Sequence, residues 1–384
     1  MATNKPYDVA VIGAGVFGAW TAYLLRRAGR RVALAEAYGP AHARASSGGE
    51  SRLIRMGYGP DELFTRWSVR SLEMWIEFFE SARQPLFFPT GILWINNEGD
   101  AYANATKETL SRVGVPHEIL TRVELEYRWP QIAFGRASWG LFEPNSGVLL
   151  ARRAVATVVQ AALQEGVDYF AEQVLSPEGA RKADNVRTTT GEVIRAGEFV
   201  FCCGPWLGKV FPNLLGSRMF VTRQEVFFFG VPAANRQFAP PAMPGWLYVA
   251  DLFYGMPDLE SRGFKIAHDQ HGERFDPGAG SRVPTPQGLD AARAYLAEHF
   301  PALADAPMVE ARVCQYENTS NGDFLVDRHP DFDNVWIAGG GSGHGFKHGP
   351  AMGEYVVGRL AGTVVPEPRF ALDSKASAQK RTIF

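Results

Sequence analysis

At 384 residues, with 46% hydrophobic and 12% aromatic side chains, the chain is long enough for two cores rather than one. Its formal net charge of −2 gives no electrostatic footing for nucleic acid or an anionic membrane surface, and no run approaches the roughly 20 apolar residues that span a bilayer. Three cysteines, two of them the adjacent Cys202 and Cys203, cannot build a disulfide framework and point to a reducing compartment. The opening MATNKPYDVAVIGAG carries no secretory leader and the terminal TIF is not a peroxisomal address, so a cytoplasmic protein is expected.

YDVAVIGAGVFGAWTAYLLRRAGRRVALAEA, from Tyr7 to Ala37, reads as strand, tight turn, helix, strand. A polar loop, PAHARASSGGESRLIRMGYG, precedes a helix expected over about Asp61 to Glu80. A short strand at GILWI and a polar helix near 101–113 follow. FEPNSGVLL leads into the helix ARRAVATVVQAALQEG, and VRTTTGEVIRAGEFVFCCG reads as a hairpin and a buried strand. From about 216 to 320 the pattern is mostly strand-like (QEVFFFGV, GWLYVA, LFYGM, GFKIAH), interrupted by the helix LDAARAYLAEHF; the stretch ARVCQYENTSNGDFLVDRHP is polar and turn-rich. VWIAGG is another buried strand before a glycine-opened helix, and the last 20 or so residues read as a loosely held tail.

Parallel-sheet texture at the N-terminus, near 146–206 and after about 330 alternates with antiparallel texture. The expected fold class is therefore α/β: a discontinuous Rossmann-type dinucleotide domain (1–85, 146–215 and 321–384) with an inserted substrate domain, mainly antiparallel sheet plus helices (86–145 and 216–320).

Gly13, Gly15 and Gly18 form GxGxxG between the first strand and its helix, where glycines let the backbone approach a pyrophosphate. A glycine-rich structural turn would give the same bare pattern. Glu36 closes the second strand, placed to accept from a ribose diol and to disfavour a 2′-phosphate, which leaves NAD or FAD. A second glycine loop, GGGSGHGFKHGP, offers N–H groups to negative charge. A nicotinamide enzyme has no evident use for it, whereas a reduced flavin is anionic along its N1 and C2 carbonyl edge.

With GAGVFG, SRLIR, RWP, FEPNSGVL, CGPW, Arg223–Gln224, Tyr254–Gly255, GFK at Lys265, VCQY, FLVDRHP and SGHGFK in order, the sequence resembles the monomeric sarcosine oxidase family over about residues 7–362. That family also holds N-methyltryptophan oxidase, pipecolate oxidase and, more distantly, fructosyl amino acid oxidases, all D-amino acid oxidase-like FAD enzymes. The resemblance implies oxidation of a secondary or primary amine carrying a carboxylate. Hydride passes to flavin N5, the imine leaves for hydrolysis, and O2 reoxidises the flavin to give H2O2.

By the same resemblance Cys314 would carry FAD through sulfur at the 8α carbon, and nearby Arg312 could lower its thiol pKa. As bare residues, free cysteines are most often buried and inert, and Cys202 and Cys203 keep that reading. Arg55 and Lys347 would hold the substrate carboxylate together, because one exposed ion pair contributes little. Lys265, one of only eight lysines among 39 basic residues, would stand over the flavin and stabilise developing superoxide. Tyr254 and Tyr316 would line the substrate pocket. Arg52, Ser342, Gly343, His344, Gly345 and Lys347 would contact the flavin, and Ala37, Ser47, Val174, Gly204 and Trp206 complete the cofactor positions. No metal is implied; the partners would be a small amine and O2, and the chain a monomer.

Three departures from the family pattern fall near the expected pocket. Ser47 and Gly48 replace a histidine pair, His268–Asp269 replaces a histidine with a shift of one residue, and Glu317 stands where threonine is usual. With Trp246 and Tyr248 they point away from sarcosine to a different, larger amine. Alternatives are a flavin dehydrogenase of the same fold that uses another electron carrier, an NAD-dependent reductase, and a flavin-holding module without turnover.

Overall fold

The computed structural model describes residues 5–379. Its first strand, Tyr7–Ile12, buries Val9, Ala10, Val11 and Ile12 in succession, the pattern of a strand covered on both faces. It lies parallel between Val32–Ala35 and Val193–Phe201. Among the described residues these belong to a seven-stranded sheet in the order Leu325–Arg328, Val335–Gly339, Val193–Phe201, Tyr7–Ile12, Val32–Ala35, Asp168–Phe170, with Asn185–Arg187 paired to Val193–Phe201 as the expected hairpin. The helix Val16–Arg27 follows the first turn and packs against Ala151–Gln164 and the late helix Gly349–Leu360. The second approach is close because Gly353 meets Trp20: a Cβ there would lie 2.9 Å from Trp20.

An eight-stranded sheet runs in the order Met308–Thr319, Met219–Phe229, Phe264–His268, Phe253–Met256, Gly245–Tyr248, Ile92–Asn96, Trp139–Glu143, Glu118–Thr121. It is antiparallel except where Gly245–Tyr248 meets Ile92–Asn96. The helix Pro286–His299 packs on it. A three-stranded sheet of Arg52–Ile54, Gly147–Leu149 and Phe87–Phe88 carries the SRLIR stretch on its edge.

Two expectations are corrected. The stretch around Cys314 is not turn-rich: Met308–Thr319 is a 12-residue strand paired along its length with Met219–Phe229, setting Gln224 opposite Cys314. Its polar composition misleads because Gln315, Glu317, Asn318 and Thr319 are buried, with polar partners at Arg44 O, Gly341 N, Thr222 on the paired strand and Asp323 O in the following turn. The described part of the tail, as far as residue 379, is held rather than loose. Arg369 bridges Asp61 and Asp323 at 2.5 Å each, Phe370 is fully buried, and Lys375 Nζ donates to Arg369 O at 2.6 Å. The terminal TIF and the first four residues of the opening segment lie outside the described residues. No helix among the described residues is long and apolar enough to cross a membrane.

Candidate active site

The turn after the first strand is built by glycine for a steric reason. Gly13 has φ +102°, and a Cβ on it would lie 2.4 Å from Cys202 O. Gly15 caps the helix Val16–Arg27 without a side chain, so the first-turn N–H groups keep no side-chain partner there. Glu36 braces this turn: Oε2 accepts from Ala14 N at 2.7 Å and Oε1 from Tyr38 N at 3.0 Å. Gly13, Gly15 and Glu36 line an elongated cavity that continues past Ala37, Ser47, Val174, Gly204 and Trp206. It ends against Arg52, Cys314, Ser342, Gly343 and Gly345.

Three of the expected cofactor residues stand elsewhere. Gly18 does not line the cavity; its Cβ would lie 1.8 Å from Gly13 O, so it serves close packing of the helix on the turn. The His344 ring turns into an aromatic cluster, with Nε2 at 3.0 Å from Gly322 O and Nδ1 at 3.2 Å from the Tyr58 hydroxyl. Lys347 lies in the 3-10 turn Phe346–His348, which presents Phe346 to the cofactor cavity and sends the lysine to a neighbouring one.

The remaining groups fit a flavin dinucleotide. A strand-end carboxylate suits a ribose diol, and an uncapped helix N-terminus suits a pyrophosphate. Glu317 lines the same cavity, buried, with Oε1 accepting from Gly341 N at 2.9 Å and Oε2 without a hydrogen-bond partner among the described residues. Burial pushes this carboxyl up to about 7, against the pull of backbone N–H groups. An orphaned acceptor of this kind is satisfied when a hydroxyl-bearing ligand fills the space.

At the far end of the cavity, Cys314 Sγ lies 3.5 Å from Arg52 Nη2. The guanidinium beside the thiol is therefore Arg52, itself fixed by the carbonyls of Ser46 and Ser51 at 2.8 Å. Arg312, expected there from its nearness in sequence, is engaged by Glu50 and Glu310. Cys202 is buried, and its thiol is pushed up by that burial. Cys203 is half-buried and lines the cofactor cavity.

Cys314 also lines a second cavity with Lys265. Lys265 is 1% exposed and donates to Ser51 O at 2.9 Å. Burial, reinforced by Arg52, pushes its ammonium well below the ordinary lysine range.

A third cavity holds Arg55 and Lys347. Arg55 donates to Gly57 O and lies over the rings of Tyr58 and Trp94 at 4.7 and 4.9 Å. Lys347 Nζ donates to the Tyr58 hydroxyl at 2.6 Å and to His344 O at 3.1 Å. Burial, with Arg55 close by, disfavours its charged form, which an anion in the cavity would restore. Tyr254 and Tyr316 line this cavity, both phenols pushed up by burial. Arg52, Tyr316 and Gly343 line all three cavities, so the sulfur, the strand ammonium and the cation pair converge on one junction.

Tyr58 and Asp269 were not among the expected site residues. Tyr58 sits within GYG, where nothing local announces that it meets Lys347, 289 positions away. Asp269 is visible in sequence only as a departure from the family pattern; it receives the Tyr316 hydroxyl hydrogen at 2.6 Å. Trp246, expected to shape the pocket, is instead fully buried among Phe264, Tyr295 and Phe300, on the other face of its strand. Tyr248 shares the Trp246 face of the strand: it borders the third cavity, but its ring meets His299 edge-on and its hydroxyl donates to Asn97 Oδ1 at 2.6 Å.

Comparison with known proteins agrees with this architecture. The chain is 29% identical over 394 residues to the monomeric sarcosine oxidase of Bacillus sp. (strain B-0618), covering 98% of this chain and 99% of that protein. It is 30% identical over 364 residues to the peroxisomal sarcosine oxidase of Homo sapiens, covering 92% of each. The crystal structure of L-proline dehydrogenase from P. horikoshii superposes with a TM-score of 0.83 at 20% identity, covering 95% of this chain and 96% of that one. The family model of the FAD dependent oxidoreductases matches residues 8–359. With its glycine turn, strand-end carboxylate and second glycine loop on one cavity, the chain belongs to the FAD dependent oxidoreductase family.

Proposed function

We propose that the protein oxidises a primary or secondary amine carrying a carboxylate to the imine, with O2 as electron acceptor and H2O2 as product. The observation that carries this reading is the junction of the three cavities at Arg52, Tyr316 and Gly343. The sarcosine oxidases it resembles over nearly the whole chain support the same class of substrate.

When bound, FAD supplies the redox chemistry, accepting two electrons from the substrate C–H bond and returning them to O2. The chain does the rest. Cys314 would tether the cofactor through sulfur, held in place by the Arg52 guanidinium beside it. Arg55 and Lys347 clamp the carboxylate in a desolvated setting, where a doubly paired anion is held firmly. Tyr58 fixes both cations, by its ring face and its hydroxyl. Tyr254 and Tyr316 orient the amine end, and Lys265 stabilises negative charge as O2 is reduced. We assign cofactor binding to the three discontinuous segments and the substrate site to the inserted sheet, in a cytoplasmic monomer.

The test is to acid-precipitate the purified protein. The yellow colour is expected to stay in the pellet, and to pass to the supernatant with Cys314→Ala. Colour in the supernatant of the unmodified protein would rule out the tether. An anaerobic screen of N-methyl, cyclic and aromatic amino acids should bleach the flavin with at least one class; bleaching by none would rule out the activity.

A further inference from the structure

Asp269 is the one acidic residue lining the third cavity among the described residues, in company with Arg52, Arg55 and Lys347. Its placement follows from strand alternation. The strand Phe264–His268 turns Lys265 and Ala267 to one face, and Asp269 continues that face. Its own N–H donates to Leu252 O at 2.6 Å, extending the pairing with Phe253–Met256 by one residue and fixing the orientation. His268, one residue away, stacks on the Phe253 ring with centroids 4.5 Å apart and planes 5° from parallel. A shift of one residue thus exchanges an imidazole for a carboxyl at the cavity.

We infer that Asp269 is a specificity-determining residue that makes this cavity a zwitterion site: its carboxylate pairs with the protonated amine of the substrate while Arg55 and Lys347 take the carboxylate. The inference rests on the function proposed above. A carboxylate offers about four acceptor positions, and the Tyr316 hydroxyl at 2.6 Å occupies one of them. Burial pushes the Asp269 carboxyl up to about 6, opposed by Tyr316, Arg55 and Lys347, so the group is ionised above that pH. The substrates favoured are those whose ammonium lies close to the carboxylate, as in α-amino acids and their N-alkyl forms. Neutral-headed carboxylates of the same shape bind less well.

Two probes separate this role from a purely structural one. Glycine betaine and 3,3-dimethylbutanoate share a shape and a carboxylate, and only the first carries a positive charge. Titrated into the holoenzyme and followed by the flavin's visible spectrum, betaine should bind about tenfold more tightly. Asp269→Asn keeps an acceptor for Tyr316 but loses the charge, and should bring the ratio to about one while leaving 3,3-dimethylbutanoate binding intact. Asp269→Glu should restore part of the preference. Arg55→Met should weaken both probes and preserve their ratio. A ratio of one or less in the unmodified protein, or a preference unchanged in Asp269→Asn, overturns the inference. If both probes still depend on Arg55 in that case, the carboxylate clamp survives; if neither probe binds at all, the clamp falls with it.

Discussion

Glu317 reaches into the cofactor cavity with one oxygen on Gly341 N and the other without a partner among the described residues. Because burial raises this carboxyl from 4.5 to about 7, the folded chain keeps the proton across an interval in which the unfolded chain has already released it. The folded state then binds more protons, and stability falls as pH rises through that window. Replacement by glutamine removes the titration and preserves the Gly341 contact. In flavin-free protein, Glu317→Gln should flatten the decline in Tm between about pH 4.5 and 7 and stabilise the chain above that window by roughly 3 kcal/mol. Parallel Tm–pH curves for the two proteins would show that Glu317 does not carry the proton. Lys265 and Lys347 are the complementary case. Burial weakens both as cations, and an anion brought beside either would restore its charge.

At the scale of elements, the opening strand–turn–helix works because two glycines remove Cβ atoms that have nowhere to go. Gly13 carries the left-handed turn, and Gly18 lets the helix lie on it. A methyl group on Gly18 would meet Gly13 O at 1.8 Å, and that oxygen belongs to the backbone, so no flexible side chain can yield. Gly18→Ala should cost about 3 kcal/mol or more and release the helix N-terminus from its place on the cavity. The check is Tm together with flavin content of the purified protein; normal values of both would contradict the packing role. The pairing of Met308–Thr319 with Met219–Phe229 has the same positional force. It fixes the strand face on which Cys314 and Tyr316 meet the cavities, so a slip of one residue would turn Cys314 away.

At the scale of the whole molecule, the chain divides its chemistry between sheets. The strand Phe264–His268 of the eight-stranded sheet delivers Lys265 to Ser51 O, next to the arginine that contacts Cys314. The loop after Val335–Gly339 delivers Lys347 to Tyr58, on the segment that follows SRLIR. These two ammonium groups serve different cavities, so their loss should separate kinetically. Lys265→Met should slow reoxidation by O2 about 100-fold while anaerobic flavin reduction by the amine changes little. Stopped-flow measurement of the two half-reactions decides it, and equal loss in both would place Lys265 with the substrate instead.

Much of this was legible in the sequence where near neighbours decide the outcome. Apolar runs, glycine turns and helical periodicity located Tyr7–Ile12, Val16–Arg27, Ala151–Gln164 and Gly349–Leu360, and Glu36 at the end of its strand. Backbone conformation follows from residues a few positions apart, and so do the chemistries of a turn and a helix start. What only the tertiary structure decided is which side chains meet. Arg52 rather than Arg312 stands beside Cys314, Tyr58 holds Lys347, Asp269 rather than a histidine fronts the cavity, and Trp246 turns into the core. Each depends on register or on packing against segments tens to hundreds of residues away, and a one-residue shift reverses the face a side chain presents.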